Sequence, residues 1–245
     1  MVDIVLFLIR LVNVSVIEPD KVKELAKQRL TEQGWLYSSC NAGINWTHYA
    51  NRMAFYRHQI IPRTLVDTNA RDTATKLFGH NLAAPIGFAP IGINKIYHPT
   101  GELSVASVAH ELNLAYSLSS AGSYSIEEVS DANKNGTRFF QLYQSPDDEQ
   151  ALSMLERAHK SGFTACMLTT DTWQLAWRHH DVFLGNYAFY HEHGVGGIGL
   201  NDPVFLKRLE EAGIDYKKEP KKAALSGWMR ISGEFSQAII EDRRI

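Results

Sequence analysis

PIGFAPIG (residues 85–92), LAYSLSS (114–120), RFFQLY (138–143) and ACMLTTD (165–171) are four short, almost continuously apolar runs, separated by segments of helical spacing. Each run is too short for an ordinary helix and rich in β-branched or aromatic residues, the pattern of strands buried on both faces of a parallel sheet. Strands alternating with helices imply βαβ crossovers, so the fold class is α/β. Every run changes character at its C-terminal end, at Pro90-Ile91-Gly92, Ser119-Ser120, Gln141 and Tyr143, and Thr169-Thr170-Asp171. In a parallel sheet these ends share one mouth, and in barrels and open α/β folds that mouth carries the site. One hydroxyl at a strand end often only caps the next helix, whereas four such changes in a row point to a site.

Around this stretch the helices can be placed from their caps. Glu18-Pro19-Asp20 followed by KVKELAKQRL predicts a helix with Val22, Leu25, Ala26 and Leu30 on one face, stopping at Gly34. A second helix is expected from Asn45 to Arg57, after which Ile61-Pro62-Arg63 forces an extended path. Both precede the first strand, as a lid or plug would. Between the strands, helices are expected over Glu102 to Leu112, Ile126 to Asn133 and Asp147 to Ser161, the last closed by Gly162. After Asp171 comes a long aromatic, Gly- and His-rich loop from Thr172 to Asn201, then a helix from Asp202-Pro203 to about Ala212. Helical pieces follow at Ala223 to Met229 and Phe235 to Asp242, with no further buried strand. The strand–helix rhythm therefore stops halfway round a barrel.

A chain of 245 residues with 44% hydrophobic residues has material for a sizeable core, and its net charge of −2 gives no support for a nucleic-acid partner. Lys217 to Lys222 is interrupted by Glu219 and reads as a solvated face. The two cysteines, Cys40 and Cys166, form no CxxC pair and no disulfide framework, and Cys166 lies in an apolar run and reads as core. A reducing compartment is expected, the cytoplasm first, with mitochondrion and peroxisome left open. IVLFLIRLVNVSVI (4–17) is shorter than a bilayer span and broken by Arg10 and Asn13, and its leader is acidic. It reads as a strand or helix packed on the body, not as a membrane span or secretory signal. The C-terminal Asp-Arg-Arg-Ile is no peroxisomal tripeptide.

Several motifs have plainer readings than their chemistry suggests. Gly194-Val195-Gly196-Gly197-Ile198-Gly199 matches GxGxxG, but no strand leads into it and Asp202-Pro203 delays the helix, so it reads as a flexible glycine loop. His179-His180 and His191-x-His193 are loop histidines without a supporting Cys or carboxylate constellation, so no metal is expected. Lys95, just after the first strand, reads as a solvated loop lysine and not as a Schiff-base lysine. Arg178 reads either as a bidentate carboxylate fork reaching the mouth or as a surface ion pair with Asp181. With Tyr143 on the third strand and Tyr37 on the pre-barrel segment, it outlines a pocket for a small carboxylic acid.

ANRMAFYRHQIIPRTLVDT, PIGFAPIGINKIYHPTGE, YSLSSAGSYSIEEVS, RFFQLYQSPDD and MLTTDTWQLAWRHHD together resemble the FMN-dependent α-hydroxy-acid dehydrogenase and oxidase family, which includes glycolate and lactate oxidases. The run into NDPVFLKRL is most similar to the lactate 2-monooxygenase branch. The resemblance covers roughly Ile17 to Leu209 in collinear order. It implies a (β/α)8 TIM barrel carrying FMN across its C-terminal mouth, with about the first four βα units in this chain. Residues 1–84 would then be a helical lid and pre-barrel segment, 85–203 the first half of the barrel, and 204–245 a helical tail.

By the same resemblance, the backbone of Pro90, Ile91 and Gly92 would run beside the flavin ring, while Ser119, Gln141 and Thr169 would bond its polar edge. Tyr37 and Arg178 would hold the carboxylate of a small 2-hydroxy acid, and Tyr143 would contact its hydroxyl end. Ser38-Ser39-Cys40-Asn41 departs from the small, glycine-rich stretch usual after that first tyrosine. The family's LxKG, SNHGGRQ, DGGxRRG and GR segments, which bear its lysine, base histidine and phosphate cradle, do not occur among the 245 residues. A positioned base contributes about 10²–10⁴-fold in rate. The chain is therefore expected to be an N-terminal, truncated portion of such an oxidoreductase. The alternative is a non-catalytic remnant or interaction module, and open sheet edges would favour pairing of copies.

Overall fold

A computed structural model describes residues 18–145, 147–171, 176–184, 196–219 and 222–223. The expected segment at 4–17, the helical pieces beyond Ala223 and the histidines at 191 and 193 lie outside the described residues. Before the main sheet come helices α1 (Pro19–Arg29), α2 (Glu32–Ser39) and α3 (Trp46–Phe55), then strands β1 (Thr75–Leu77) and β2 (His80–Leu82). The body follows as β3 (Gly87–Phe88), α4 (Gly101–Glu111), β4 (Ala115–Ser119), α5 (Ile126–Asn133), β5 (Arg138–Leu142), α6 (Asp148–Lys160) and β6 (Cys166–Leu168). Helices α7 (His179–Leu184), α8 (Gly196–Gly199) and α9 (Pro203–Glu211) complete the described elements.

Strands β3 to β6 form one sheet in sequence order, every neighbouring pair parallel. The expected strands all form, though β3 occupies only two residues of its apolar run. Burial on both faces holds for β4 and nearly all of β5. It fails for β6, all three of whose residues are exposed, Cys166 among them. The reason is position: β3 and β6 each pair on one side only among the described residues, as the ends of a half-closed barrel would. Leu118 and Phe140 of the inner strands lie with Ile126, Val129 and Met154 of α5 and α6 in the main core.

The helix boundaries follow their caps. Ser125 and Glu128 form a reciprocal capping box on α5, and Asp147 Oδ1 accepts the N–H groups of Glu149 and Gln150 at the start of α6. Gly162 (φ +76°) ends α6, as its sequence position predicts. Gly34, by contrast, is no stop signal. The first helix ends at Leu30 because Thr31 caps a second one, its Oγ1 accepting the Gly34 N–H at 3.1 Å. Gly34 lies inside α2 because that helix crosses close to the loop after β3. A Cβ there would stand 2.8 Å from the Ile96 carbonyl oxygen.

Strands β1 and β2 form an antiparallel hairpin that the sequence reading did not contain. Its tip residues Phe78 and Gly79 both take positive φ, as tight two-residue hairpin turns of the primed type require. Phe78 meets the ring of Phe139 edge-on at 5.6 Å, and His80 Nε2 lies 2.8 Å from Thr164 Oγ1. Leu82, Ala115 and Phe139 make a small core there. The hairpin thus covers the N-terminal ends of the sheet strands and leaves the C-terminal ends to the rim.

Helix α9 is fastened by charge. Asp202, wholly buried, caps it through Oδ1 to Val204 and Phe205 N–H, while Oδ2 accepts from Arg157 at 3.1 Å and Ser153 at 2.8 Å. Arg157 also bonds both carboxylate oxygens of Glu127, so one guanidinium joins α5, α6 and α9. Asp202→Ala removes the cap and leaves a largely buried cation with one fewer counter-charge. The expected loss is about 3–5 kcal/mol, read by urea denaturation, with Asp202→Asn costing less. A change within about 0.5 kcal/mol would contradict it.

Candidate active site

Register builds the rim. Ser119 pairs with Gln141 across β4 and β5, and Gln141 pairs with Met167 across β5 and β6. Side chains at paired positions of adjacent strands point the same way. Ser119 Oγ accordingly donates to Gln141 Oε1 at 2.8 Å, and Gln141 Nε2 donates to Thr169 Oγ1 at 2.9 Å. The backbone N–H of Ser120 also reaches Gln141 Oε1, at 3.3 Å, and since that group can only donate it fixes which way the amide faces. Three strand ends are thereby joined in one polar row, Ser119 and Gln141 buried beneath and Thr169 half-buried.

Hydroxyls behind the row brace it. Ser119 Oγ accepts the Ala121 N–H at 3.1 Å, and Ser120 Oγ accepts the Tyr143 N–H at 3.1 Å. Tyr143 therefore leaves β5 at a fixed point of the rim, half-buried. Burial, and then the negative charge of nearby Asp171, hold its phenol above the usual range. Pro90, Ile91 and Gly92 run along the same end of the sheet from β3, with Ile91 exposed. The room at Gly92 is taken by the neighbouring loop, since a Cβ there would stand 2.8 Å from the Ala121 Cβ.

A second group gathers beside this rim. Arg178 places its guanidinium carbon 5.4 Å from the ring centre of Tyr37 on α2, and Tyr37 stacks with Tyr97 at 6.4 Å and 21°. The ring contact is compatible with both readings of Arg178, the carboxylate fork and the ion pair with Asp181, whose side chain lies outside the described residues. Tyr97 was missed by sequence reasoning, because a tyrosine in the loop GINKIYHP carries no strand-end signature. Burial and then Tyr37 push its phenol up to about 12, against the pull of Arg178.

Other expectations need revising. Lys95 does not stand free in solvent: its ammonium sits over the Tyr124 ring, 3.6 Å from the centre. Gly196 to Gly199 form a helical turn rather than a flexible loop, with Ile198 wholly buried. A side chain at Gly197 would collide with the Ser123 carbonyl, so glycine there serves close packing. Gly194 and Val195 lie outside the described residues. Among the described residues there is no group of three or more His, Cys, Asp and Glu that could hold a metal, and no helix long and apolar enough to cross a membrane.

Set beside known proteins, residues 26–196, which include every rim residue named above, match a family model described as FMN-dependent dehydrogenase. The chain is 37% identical over 196 residues to an FMN-dependent alpha-hydroxy acid dehydrogenase of Penicillium citrinum, covering 80% of this chain and 48% of that protein. It is 39% identical over 173 residues to an L-lactate oxidase of Lysinibacillus sphaericus, covering 71% and 45%. A crystal structure of mandelate oxidase superposes with a TM-score of 0.69 at 27% identity, covering 75% of this chain and 52% of that one. The chain spans about half the length of the curated relatives it matches.

The raised phenol of Tyr97 carries a pH consequence. An unfolded tyrosine ionises near 10, so between pH 10 and about 12 the unfolded chain gives up a proton that the folded chain keeps. The stability tied to Tyr97 is whole below pH 10 and is lost as the pH climbs through about 12. Urea midpoints followed from about pH 9 to 12 should therefore fall less for Tyr97→Phe than for the parent chain. Parallel curves would contradict this.

Proposed function

The chain belongs to the FMN-dependent dehydrogenase family, and on that premise we propose that it carries the flavin rim and substrate clamp of an oxidoreductase acting on the CH–OH group of small α-hydroxy acids. The observation that carries the reading is the uninterrupted row Ser119, Gln141, Thr169 along one mouth of the sheet. It supports a flavoprotein over a non-catalytic interaction module, whose rim would need no such row.

The residues present suit the polar edge of a flavin. Gln141 Nε2 spends one of its two protons on Thr169, and the Thr169 hydroxyl accepts that proton while keeping its own. One amide proton and one hydroxyl proton are therefore left to donate to ring carbonyls. Ser119, Gln141 and Thr169 would hold that edge, and the backbone of Pro90, Ile91 and Gly92 would flank the ring. When bound, FMN supplies the two-electron acceptance that side chains lack.

The chain's own groups divide the work on the acid. Arg178, braced on the Tyr37 ring, offers a planar fork to the substrate carboxylate, with the Tyr37 hydroxyl as the partner donor. Tyr143, its ionisation held above the usual range, stays protonated at neutral pH and donates to the hydroxyl end instead of acting as a base. Proton removal from the substrate is assigned to no residue of this chain. In this reading the described residues up to 84 are lid and pre-barrel and those from 85 to 203 the flavin-bearing half barrel; the expected tail beyond residue 223 lies outside the described residues. The outer edges of β3 and β6, unpaired among the described residues, would join copies to one another.

Size-exclusion chromatography with light scattering and flavin absorbance tests both parts. Added FMN should travel with the protein in a peak of twice the chain's mass. Gln141→Leu should weaken its retention by about 3–10-fold, the worth of one neutral hydrogen bond. Flavin travelling with a monomer would remove the pairing alone, and absence of bound flavin at high micromolar FMN would remove the function.

A further inference from the structure

Glu102, in the first turn of α4, is wholly buried, between the loops that follow β3 and β4. Its Oε1 accepts three N–H groups: the Asn94 backbone at 3.1 Å, Asn94 Nδ2 at 3.2 Å and the Ser123 backbone at 2.8 Å. Its Oε2 has no hydrogen-bond partner. Burying a carboxylate with one oxygen unsatisfied is costly, and the three donors it gathers come from two loops that both belong to the rim.

The loop it grips is strained. Ile93 takes a φ of +60°, a conformation that β-branched side chains rarely adopt, with its side chain wholly buried. Such strain persists only where the surroundings over-determine it. Here the Ile93 N–H donates to the Ala121 carbonyl at 2.9 Å, and the Lys95 N–H donates to Ser123 Oγ at 3.1 Å. Asn94 is the link to the ring-facing backbone: Nδ2 gives one proton to Glu102 and the other to the Ile91 carbonyl at 2.9 Å.

We propose that Glu102 is a positioning residue of the rim. Its carboxylate locks the strained Ile91–Asn94 turn onto the Ser119–Ser123 loop, so that the Pro90–Gly92 backbone and the strand-end row face the same bound flavin. This rests on the flavin reading. Sequence alone gave Glu102 no such role, since an acid in the first turn of a helix ordinarily answers the helix dipole.

The test uses the full chain carrying Glu102→Ala, Glu102→Gln or Asn94→Ala, followed by amide hydrogen exchange and by FMN titration. Glu102→Ala should speed exchange at Asn94 and Ser123 by about tenfold or more, the loss of bonds to a charged acceptor, while Phe140 in β5 exchanges as before. Glu102→Gln keeps an acceptor at Oε1 and should restore protection and flavin affinity towards the parent values. Asn94→Ala, at a half-buried site, should leave Ser123 protected yet weaken FMN binding severalfold, which separates positioning of Ile91 from simple structural support. Unchanged exchange at Asn94 and Ser123 in Glu102→Ala would overturn the clamp. If Glu102→Ala does not fold, unchanged FMN affinity in Asn94→Ala overturns the link to the flavin. Failure of the parent chain to take up FMN would instead sink the functional reading, and the exchange comparison would still decide the clamp.

Discussion

Ser119 stands opposite Gln141, and that single register is what the rim depends on. Side chains alternate faces along a strand, so a slip of one residue would turn Gln141 away from Ser119 and Thr169 and bring apolar Phe140 or Leu142 into its place. The register is held from below as well as from above. At the lower end Phe139 packs with Leu82 and Ala115 and meets the hairpin tip at Phe78, and Phe140 above it lies in the main core. The polar row is thus the upper consequence of an apolar lock beneath it.

The two ends of the sheet have opposite chemistry. Hairpin β1–β2 closes the N-terminal ends with aromatic contacts, and the C-terminal ends carry hydroxyls, an amide and three tyrosine-bearing loops. Farther out, the Arg157 network fastens α9 over α6, while the grip of Glu102 joins the loops after β3 and β4. At the centre of each is a buried acid, Asp202 in one and Glu102 in the other, whose bonds join separate segments of the chain. Each fixes one element relative to another, which a rim assembled from separate loops requires.

How far the sequence disclosed this depended on whether the deciding interaction was local. The parallel strands and the helices between them were legible because apolar runs, capping residues and terminal glycines act within a few residues; Asp147, Asp202 and Gly162 sit where those rules place them. The strand-end residues Ser119, Gln141 and Thr169 were legible for the same reason. Hairpin β1–β2 was not, since Thr75–Leu77 and His80–Leu82 are three-residue strands of mixed polarity that exist by packing on Phe139 and pairing with Thr164. The exposure of Cys166 was hidden because edge position is a property of the sheet and not of the run CML. Gly34 misled because a glycine demanded by a helix crossing looks like one that ends a helix. Tyr97 and Glu102 were missed because their partners, Tyr37, Asn94 and Ser123, reach them only through the fold.

The most direct measurement follows the side-chain amide of Gln141 by NMR as FMN is added to the isotopically labelled chain. Its resonances and the backbone amides of Ile91, Gly92 and Ser120 should shift together and saturate at one FMN concentration. Saturable shifts confined to residues away from the strand ends, with the Gln141 amide unmoved, would contradict the assignment of this rim to the flavin.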